Sequence, residues 1–237
     1  MKNYISILLL FFLILLLSCS SEEKIIKKTP SNTIKNRKVL ALGDSYTIGQ
    51  SVCQTCKFPE QLKDSLLANL PDTYSVSLQV IAQTGWTTTN LISAIDTQNP
   101  SSDFDLVTLL IGVNNQYQNK PFSLYETEFP QLVTKAIAFA KGNKSKVIVV
   151  SIPDYAYTPF GQGSSNSQNI STQIDEYNLF AKNYCDTNTI AFVNITDITR
   201  LGLQQTNLVA NDGLHPSEIA YSKFVERILS LALEKIE

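Results

Sequence analysis

The sequence predicts a three-layer α/β/α domain on a five-stranded parallel sheet, and three observations predict it. Five short apolar runs bounded by turn residues recur along the chain. Stretches with helical spacing separate them. The composition suits a packed body, with 43% hydrophobic and 17% charged residues and only 9 glycines and 9 prolines in 237, which excludes a disordered, collagenous or membrane-filling chain. A net charge of -2, from 19 basic and 21 acidic residues, leaves no basic surplus to attract nucleic acid. No nucleic-acid partner and no obligatory protein partner are expected.

The apolar runs, at residues 39–42, 76–81, 106–111, 147–152 and 190–195, read as buried strands. Helical spacing occupies residues 60–70, 88–95, 124–140, 174–184 and 217–236. Ser123 with Glu126 predicts a capping-box start to the third helix, and Pro59 and Pro216 sit where a first-turn proline is tolerated. Strict alternation of strand and helix demands right-handed crossovers, hence parallel strands with helices on both faces.

Ahead of this domain, residues 1–18 read as a signal peptide. The run from Tyr4 to Leu17 is apolar except for Ser6 and shorter than the roughly 20 residues of a spanning helix. Leu16-Leu17-Ser18-Cys19 resembles the lipobox of bacterial lipoproteins, which implies acylation of Cys19. An ordinary secretory signal with an incidental cysteine is the other reading. Residues 19–37 are then the lipidated cysteine and a polar, lysine-rich tether with a reach of about 20–25 Å, and residues 38–237 are the folded domain. Glu22 and Glu23 resemble export signals used by surface lipoproteins of some Gram-negative bacteria. The expected location is the bacterial cell envelope, at the outer membrane or cell surface, with the membrane reached through the lipid anchor.

In a parallel sheet the ligand site lies beyond the carboxyl ends of the strands, so the residues that follow each strand carry the chemistry. Gly43-Asp44-Ser45-Tyr46 follows the first, Gly85-Trp86 the second, Gly112-Val113-Asn114-Asn115 the third and Pro153-Asp154-Tyr155 the fourth. A serine needs a base to take its proton, and His215 is the only histidine in the chain. Asp212, three residues earlier, is close enough for a turn to aim its carboxylate at one ring nitrogen. Alternatively, Asp212 caps a helix opening at Pro216 and His215 is a surface residue. At the end of the first strand Ser45 can face the site with its hydroxyl and point its amide at a developing oxyanion. The plainer reading is a strand-to-helix turn with Ser45 or Thr47 as N-cap.

Taken in order, Gly43-Asp44-Ser45, Gly85, Gly112 with Asn114, and Asp212 with His215 resemble the four blocks of the SGNH (GDSL) hydrolase family, over nearly the whole folded domain. The resemblance implies a flavodoxin-like fold, Ser45 as nucleophile, His215 as general base and acid, and Asp212 as its orienter. It further implies an oxyanion hole from the amides of Ser45 and Gly85 and the side-chain amide of Asn114. A small ester is the implied substrate, with no cofactor and no metal. A side chain at position 85 is expected to crowd the tetrahedral intermediate, the alternative being a simple turn glycine. Asn114 supplies a neutral donor, its alternative being a turn asparagine. Many members carry aspartate after that asparagine where this chain has Asn115, so a neighbouring contact is expected to differ.

Cys53-Gln54-Thr55-Cys56 admits three readings: a thioredoxin-like redox pair, free thiols, and a structural disulfide that stiffens the loop after the nucleophile. Trp86, Tyr117 and Tyr155, with Tyr157 and Phe160, follow strand ends and are candidate walls for substrate, local core being the other reading. The stretch 161–169, rich in glycine, serine and asparagine, is expected to be a mobile lid. The function expected is a lipid-anchored serine esterase acting through an acyl-enzyme. A carbohydrate deacetylase of the same fold, a non-hydrolytic thiol-disulfide protein using Cys53 and Cys56, and a silent binding module are the alternatives.

Overall fold

The computed structural model describes residues 34–236; the signal segment, Cys19 and the tether up to residue 33 lie outside the described residues. In chain order the elements are β1 (Lys35–Gly43), α1 (Ser45–Ile48), α2 (Phe58–Asn69), β2 (Tyr74–Ala82), α3 (Thr88–Gln98), β3 (Leu106–Leu110), α4 (Val113–Tyr117), α5 (Phe122–Phe139), β4 (Val147–Val150), α6 (Pro159–Gln162), α7 (Ser167–Asn188), β5 (Ala191–Val193), α8 (Thr196–Thr199) and α9 (Glu218–Ile236). All five strands pair in parallel, in the order β2-β1-β3-β4-β5. That order is the flavodoxin-like one, whose connections reverse direction between β1 and β3.

The strand sequences explain their places. β3 and β4 are buried at every position, as strands covered on both faces must be, and they read as unbroken apolar runs. β2 lies at an edge and carries polar Ser75, Ser77 and Gln79 between apolar neighbours, with only Ile81 fully enclosed. α2 packs with α9 as one layer, and α3, α5 and α7 pack in succession as the other. Phe122, Tyr125 and Phe129 of α5 meet Tyr177 and Phe180 of α7 at ring separations of 4.6–6.1 Å. This aromatic seam fixes the helix that borders the site.

Local expectations differ in four places. β1 begins at Lys35, which pairs with Tyr74, so the ordered backbone starts ahead of residue 38. The capping box at Ser123 and Glu126 does not form: α5 starts at Phe122 behind Pro121 with no side-chain cap, because burial of Phe122 in the aromatic seam draws the helix forward. Pro216 lies outside α9, bridged to Val209. Ser217 caps that helix instead, its hydroxyl accepting from the Ala220 amide at 3.3 Å. Finally, most of 161–169 is helical, divided between α6 and α7 and leaving only residues 163–166 as a connecting bend.

Candidate active site

β1 and β3 are neighbours whose following segments diverge, and the crevice that opens between them receives Ser45 and Asn114 together. Gly43 closes β1 because a side chain there has no room: a Cβ would lie 2.4 Å from the Leu110 carbonyl oxygen of β3 and 2.1 Å from the Thr47 hydroxyl. The chain then turns at once into α1. Its N-cap is Asp44, whose carboxylate accepts from the Tyr46 amide at 3.0 Å, so neither Ser45 nor Thr47 is the cap. Ser45 occupies the first helical position, where a backbone N–H has no intrahelical acceptor.

Asp44 is fully buried, and its second oxygen has no hydrogen-bond partner. Burial pushes its carboxyl up to about 7, an effect that the backbone amides of Tyr46 and of Asp44 itself only partly offset. The residue beneath the serine is therefore a carboxyl that holds its proton into the neutral range.

His215 and Asp212 are joined within one turn. Asp212 Oδ1 accepts from the amides of Leu214 and His215, each at 3.0 Å, and Oδ2 lies 2.6 Å from His215 Nδ1. A further bond reaches in from outside the turn: Ser51 donates its hydroxyl to Asp212 Oδ2 at 2.6 Å. Partial burial works against ionisation, but these donors outweigh it and hold the Asp212 carboxyl well below the usual carboxylate range. The imidazole is buried and faces the Tyr46 ring at 5.4 Å. Asp212 caps no helix. Its partners are the turn, the histidine and Ser51.

Ser51 was not recognisable in the sequence. It sits at φ +67° in the segment between α1 and α2, just before the bonded pair Cys53 and Cys56, whose Cα atoms are 4.9 Å apart. Neither its type nor its distance of 161 residues from Asp212 marks it.

The opposite side of the crevice is assembled from two loops. Gly85 lies in the turn after β2 at φ +85°, and a Cβ there would meet nothing within 4 Å. The left-handed backbone is what requires glycine, not crowding by the protein. Asn114 stands on α4 and donates one side-chain N–H to the Trp86 carbonyl at 3.0 Å, which fixes the amide and leaves its second N–H for a ligand. Gln118 donates to the Gly85 carbonyl at 2.9 Å.

Asn115, fully buried, accepts from the Thr88 amide at 2.9 Å and donates to the Thr88 hydroxyl at 2.7 Å. Thr88 in turn donates to Glu128, as does Thr89 at 2.8 Å. The residue after Asn114 thus ties together the two loops that carry Gly85 and Asn114.

A cavity of about 240 Å³ brings Ser45, Gly85, Asn114, Tyr117, Tyr155 and His215 together, with Phe160 and Leu214. Trp86 does not line it: its ring packs against the core, and only its carbonyl serves the site. Tyr157 lies away from the cavity, with the Arg200 guanidinium 5.9 Å from its ring. Among the described residues no group of three His, Cys, Asp or Glu side chains gathers as a metal site. A hydroxyl, an imidazole with a carboxylate behind it, and neutral donors on the facing wall can together deprotonate a serine and receive negative charge on a substrate oxygen.

A model of the GDSL-like lipase/acylhydrolase family matches residues 41–223. Solved structures share the fold. A lipase/acylhydrolase from Enterococcus faecalis superposes with a TM-score of 0.64 at 17% identity, over 85% of this chain and 97% of its own. A member of the lipolytic G-D-S-L family from Veillonella parvula gives 0.61 at 20% identity, over 82% and 97%. An acetylxylan esterase from Geobacillus stearothermophilus gives 0.61 at 18%, over 84% and 96%. Among curated proteins none matches the chain.

Proposed function

The chain belongs to the GDSL-like lipase/acylhydrolase family and is an SGNH-type ester hydrolase, and from that premise we propose that it cleaves carboxylic esters by double displacement through an acyl group carried on Ser45. The observation that supports this most strongly is the 2.6 Å contact between His215 and Asp212 in the crevice that also holds Ser45. With Nδ1 facing the carboxylate, Nδ1 keeps the ring proton and Nε2 is the acceptor.

Ser45 Oγ attacks the ester carbonyl carbon while Nε2 takes its proton. Negative charge on the carbonyl oxygen is met by the amides of Ser45 and Gly85 and by the free N–H of Asn114. As the tetrahedral intermediate collapses, the carbon–oxygen bond to the alcohol breaks and His215 returns the proton to the leaving oxygen. Water then gives a proton to Nε2, attacks the acyl-enzyme, and releases the acid as Ser45 regains its proton. Ester and water become acid and alcohol, and no cofactor enters.

The small cavity suits a short acyl group, and Tyr117, Tyr155 and Phe160 serve as substrate walls. The acetylxylan esterase among the structural neighbours makes removal of acetyl groups from a sugar the second reading, by the same steps. Hydrolysis of p-nitrophenyl acetate by the mature protein tests the mechanism. Ser45→Ala is expected to lower turnover by about 10⁴-fold or more at an unchanged melting temperature. Retained turnover in the folded variant overturns it.

Residues 16–19 support a separate proposal, that an acylated Cys19 anchors the enzyme to the cell envelope. A Cys19→Ala protein is then expected to leave the membrane fraction. A mature N-terminus found by mass spectrometry to begin elsewhere, or to be unmodified, contradicts the anchor.

A further inference from the structure

Beside the catalytic crevice lies a second, larger cavity of about 650 Å³, within the range of about 300–1,000 Å³ typical of ligand pockets. The two cavities share Tyr117, Tyr155 and Phe160 and so adjoin each other. Five amide side chains, Gln116, Asn119, Asn166, Asn169 and Gln173, line the larger cavity, and no charged side chain does.

Gln116 is engaged at both ends, but the other four keep polar atoms that the protein does not use. The side chains of Asn119, Asn166 and Asn169 bond to no other described residue. Gln173 uses only its oxygen, as acceptor from Gln116 at 2.7 Å. The framework around them is fixed: Tyr155 donates its hydroxyl to Gln116 at 2.8 Å, and Phe160 is tied by its amide to the Gly213 carbonyl at 2.9 Å. Buried Asp154 holds the Tyr155 turn by accepting from Ser171 at 2.7 Å and Arg200 at 2.9 Å. Tyr117 and Phe160 remain 52% and 46% exposed with their rings 6.1 Å apart, an apolar ledge shared by the two cavities.

An amide both donates and accepts, as a hydroxyl does, and it carries no charge whose solvation must be surrendered. Aromatic edges and faces pack on the apolar C–H faces of pyranose rings. Charged headgroups find no counter-charge here, and a long acyl chain would strand the amides without partners. From this arrangement we propose that the larger cavity is a subsite for a neutral oligosaccharide, which extends along Asn119, Asn169 and Gln173 while a short O-acyl group on one of its sugars enters the crevice at Ser45. The inference rests on the ester-hydrolase reading and names its substrate class.

Steady-state kinetics of the mature protein on O-acetylated cello-, xylo- and chito-oligosaccharides of one to four sugars tests it. For the best of these series kcat/KM is expected to rise at least tenfold from monosaccharide to tetrasaccharide. The Asn119→Ala/Asn169→Ala pair is expected to flatten that rise, read as the ratio of tetrasaccharide to monosaccharide. No gain with length, a gain that survives the paired substitution, or a higher kcat/KM on p-nitrophenyl palmitate than on every acetylated sugar overturns the proposal. If no ester at all is cleaved, the hydrolase reading fails by itself. Calorimetry of the Ser45→Ala protein with the unacetylated tetrasaccharides then decides the subsite: binding weakened by the paired substitution supports it, and no binding overturns it.

Discussion

In the proposed mechanism the two sides of Ser45, acid–base and oxyanion, are built on different principles. On the acid–base side, Asp212 and His215 stand in one turn and hold each other through bonds that span two or three residues; among the described residues Ser51 is the one side chain from elsewhere that hydrogen-bonds to Asp212. On the oxyanion side, Gly85 and Asn114 come from separate loops, kept in place by bonds between segments 27–40 residues apart: Asn114 to Trp86, Asn115 to Thr88, Gln118 to Gly85 and Thr88 to Glu128. A local turn carries its own geometry. A hole made from two loops depends on the packing of α3 against α5 and on buried Asn115.

This contrast makes Asn114 the sharper probe of the oxyanion side. Asn114→Ala is expected to lower kcat by about 10²–10³-fold with little change in KM, because a fixed donor is felt mainly when the carbonyl oxygen becomes an anion. Steady-state kinetics on p-nitrophenyl acetate checks this. A raised KM at unchanged kcat would assign Asn114 to substrate positioning, and a silent substitution would leave the oxyanion side without its side-chain donor.

A smaller effect is expected on the acid–base side, where Ser51 is a positioning residue. Ser51→Ala removes one hydrogen bond to Asp212 and is expected to reduce kcat about threefold to tenfold at constant KM. The depressed carboxyl of Asp212 contributes stability at pH above its unfolded value of 3.8, and that stability is lost as pH falls through the folded value. Fewer donors raise the folded value, so the acid-unfolding midpoint of Ser51→Ala is expected to move to higher pH. A merely structural role for Ser51 would lower the melting temperature by the same amount at every pH, whereas loss of its bond to ionised Asp212 costs less as the pH falls below 3.8.

Asp44 belongs to neither side, and its effect is expected on stability. Unfolded, its carboxyl ionises near 3.8; folded, near 7. Below about pH 4 both states are protonated and no penalty arises, whereas between pH 4 and 7 the folded state is progressively disfavoured. Asp44→Asn keeps an acceptor for the Tyr46 amide, so its melting temperature is expected to gain on wild type as pH rises over that interval and then level off. A constant difference across the interval would show that Asp44 does not titrate there.

The same contrast governs what the sequence makes legible. Asp212 and His215 are three residues apart, and Gly43-Asp44-Ser45 ends an apolar run, so both can be read along the chain. All five strands and five long helices follow from apolar periodicity, since burial is what periodicity encodes. Ser51 and Glu128 act through tertiary contacts and carry no local pattern. Trp86 reads as a wall because aromatics often are walls, yet the fold uses its carbonyl and packs the half-buried ring against the core. The stretch 161–169 has the composition of a loop, but helix α7 extends back to Ser167 once its apolar face is docked on α5, and Asn166 and Asn169 come to line a second cavity. Single asparagines and glutamines scattered over residues 116–173 have no spacing that announces a groove.

Mapping covalent modification by a fluorophosphonate probe with mass spectrometry tests Ser45 as the activated nucleophile, because the probe reacts with a serine only where a base and an oxyanion site act on it together. One adduct is expected, on the peptide that carries Ser45, formed rapidly by wild type and slowed by several orders of magnitude in His215→Ala at an unchanged fold. Labelling at another serine, or equal labelling of Ser45 with and without His215, would contradict it.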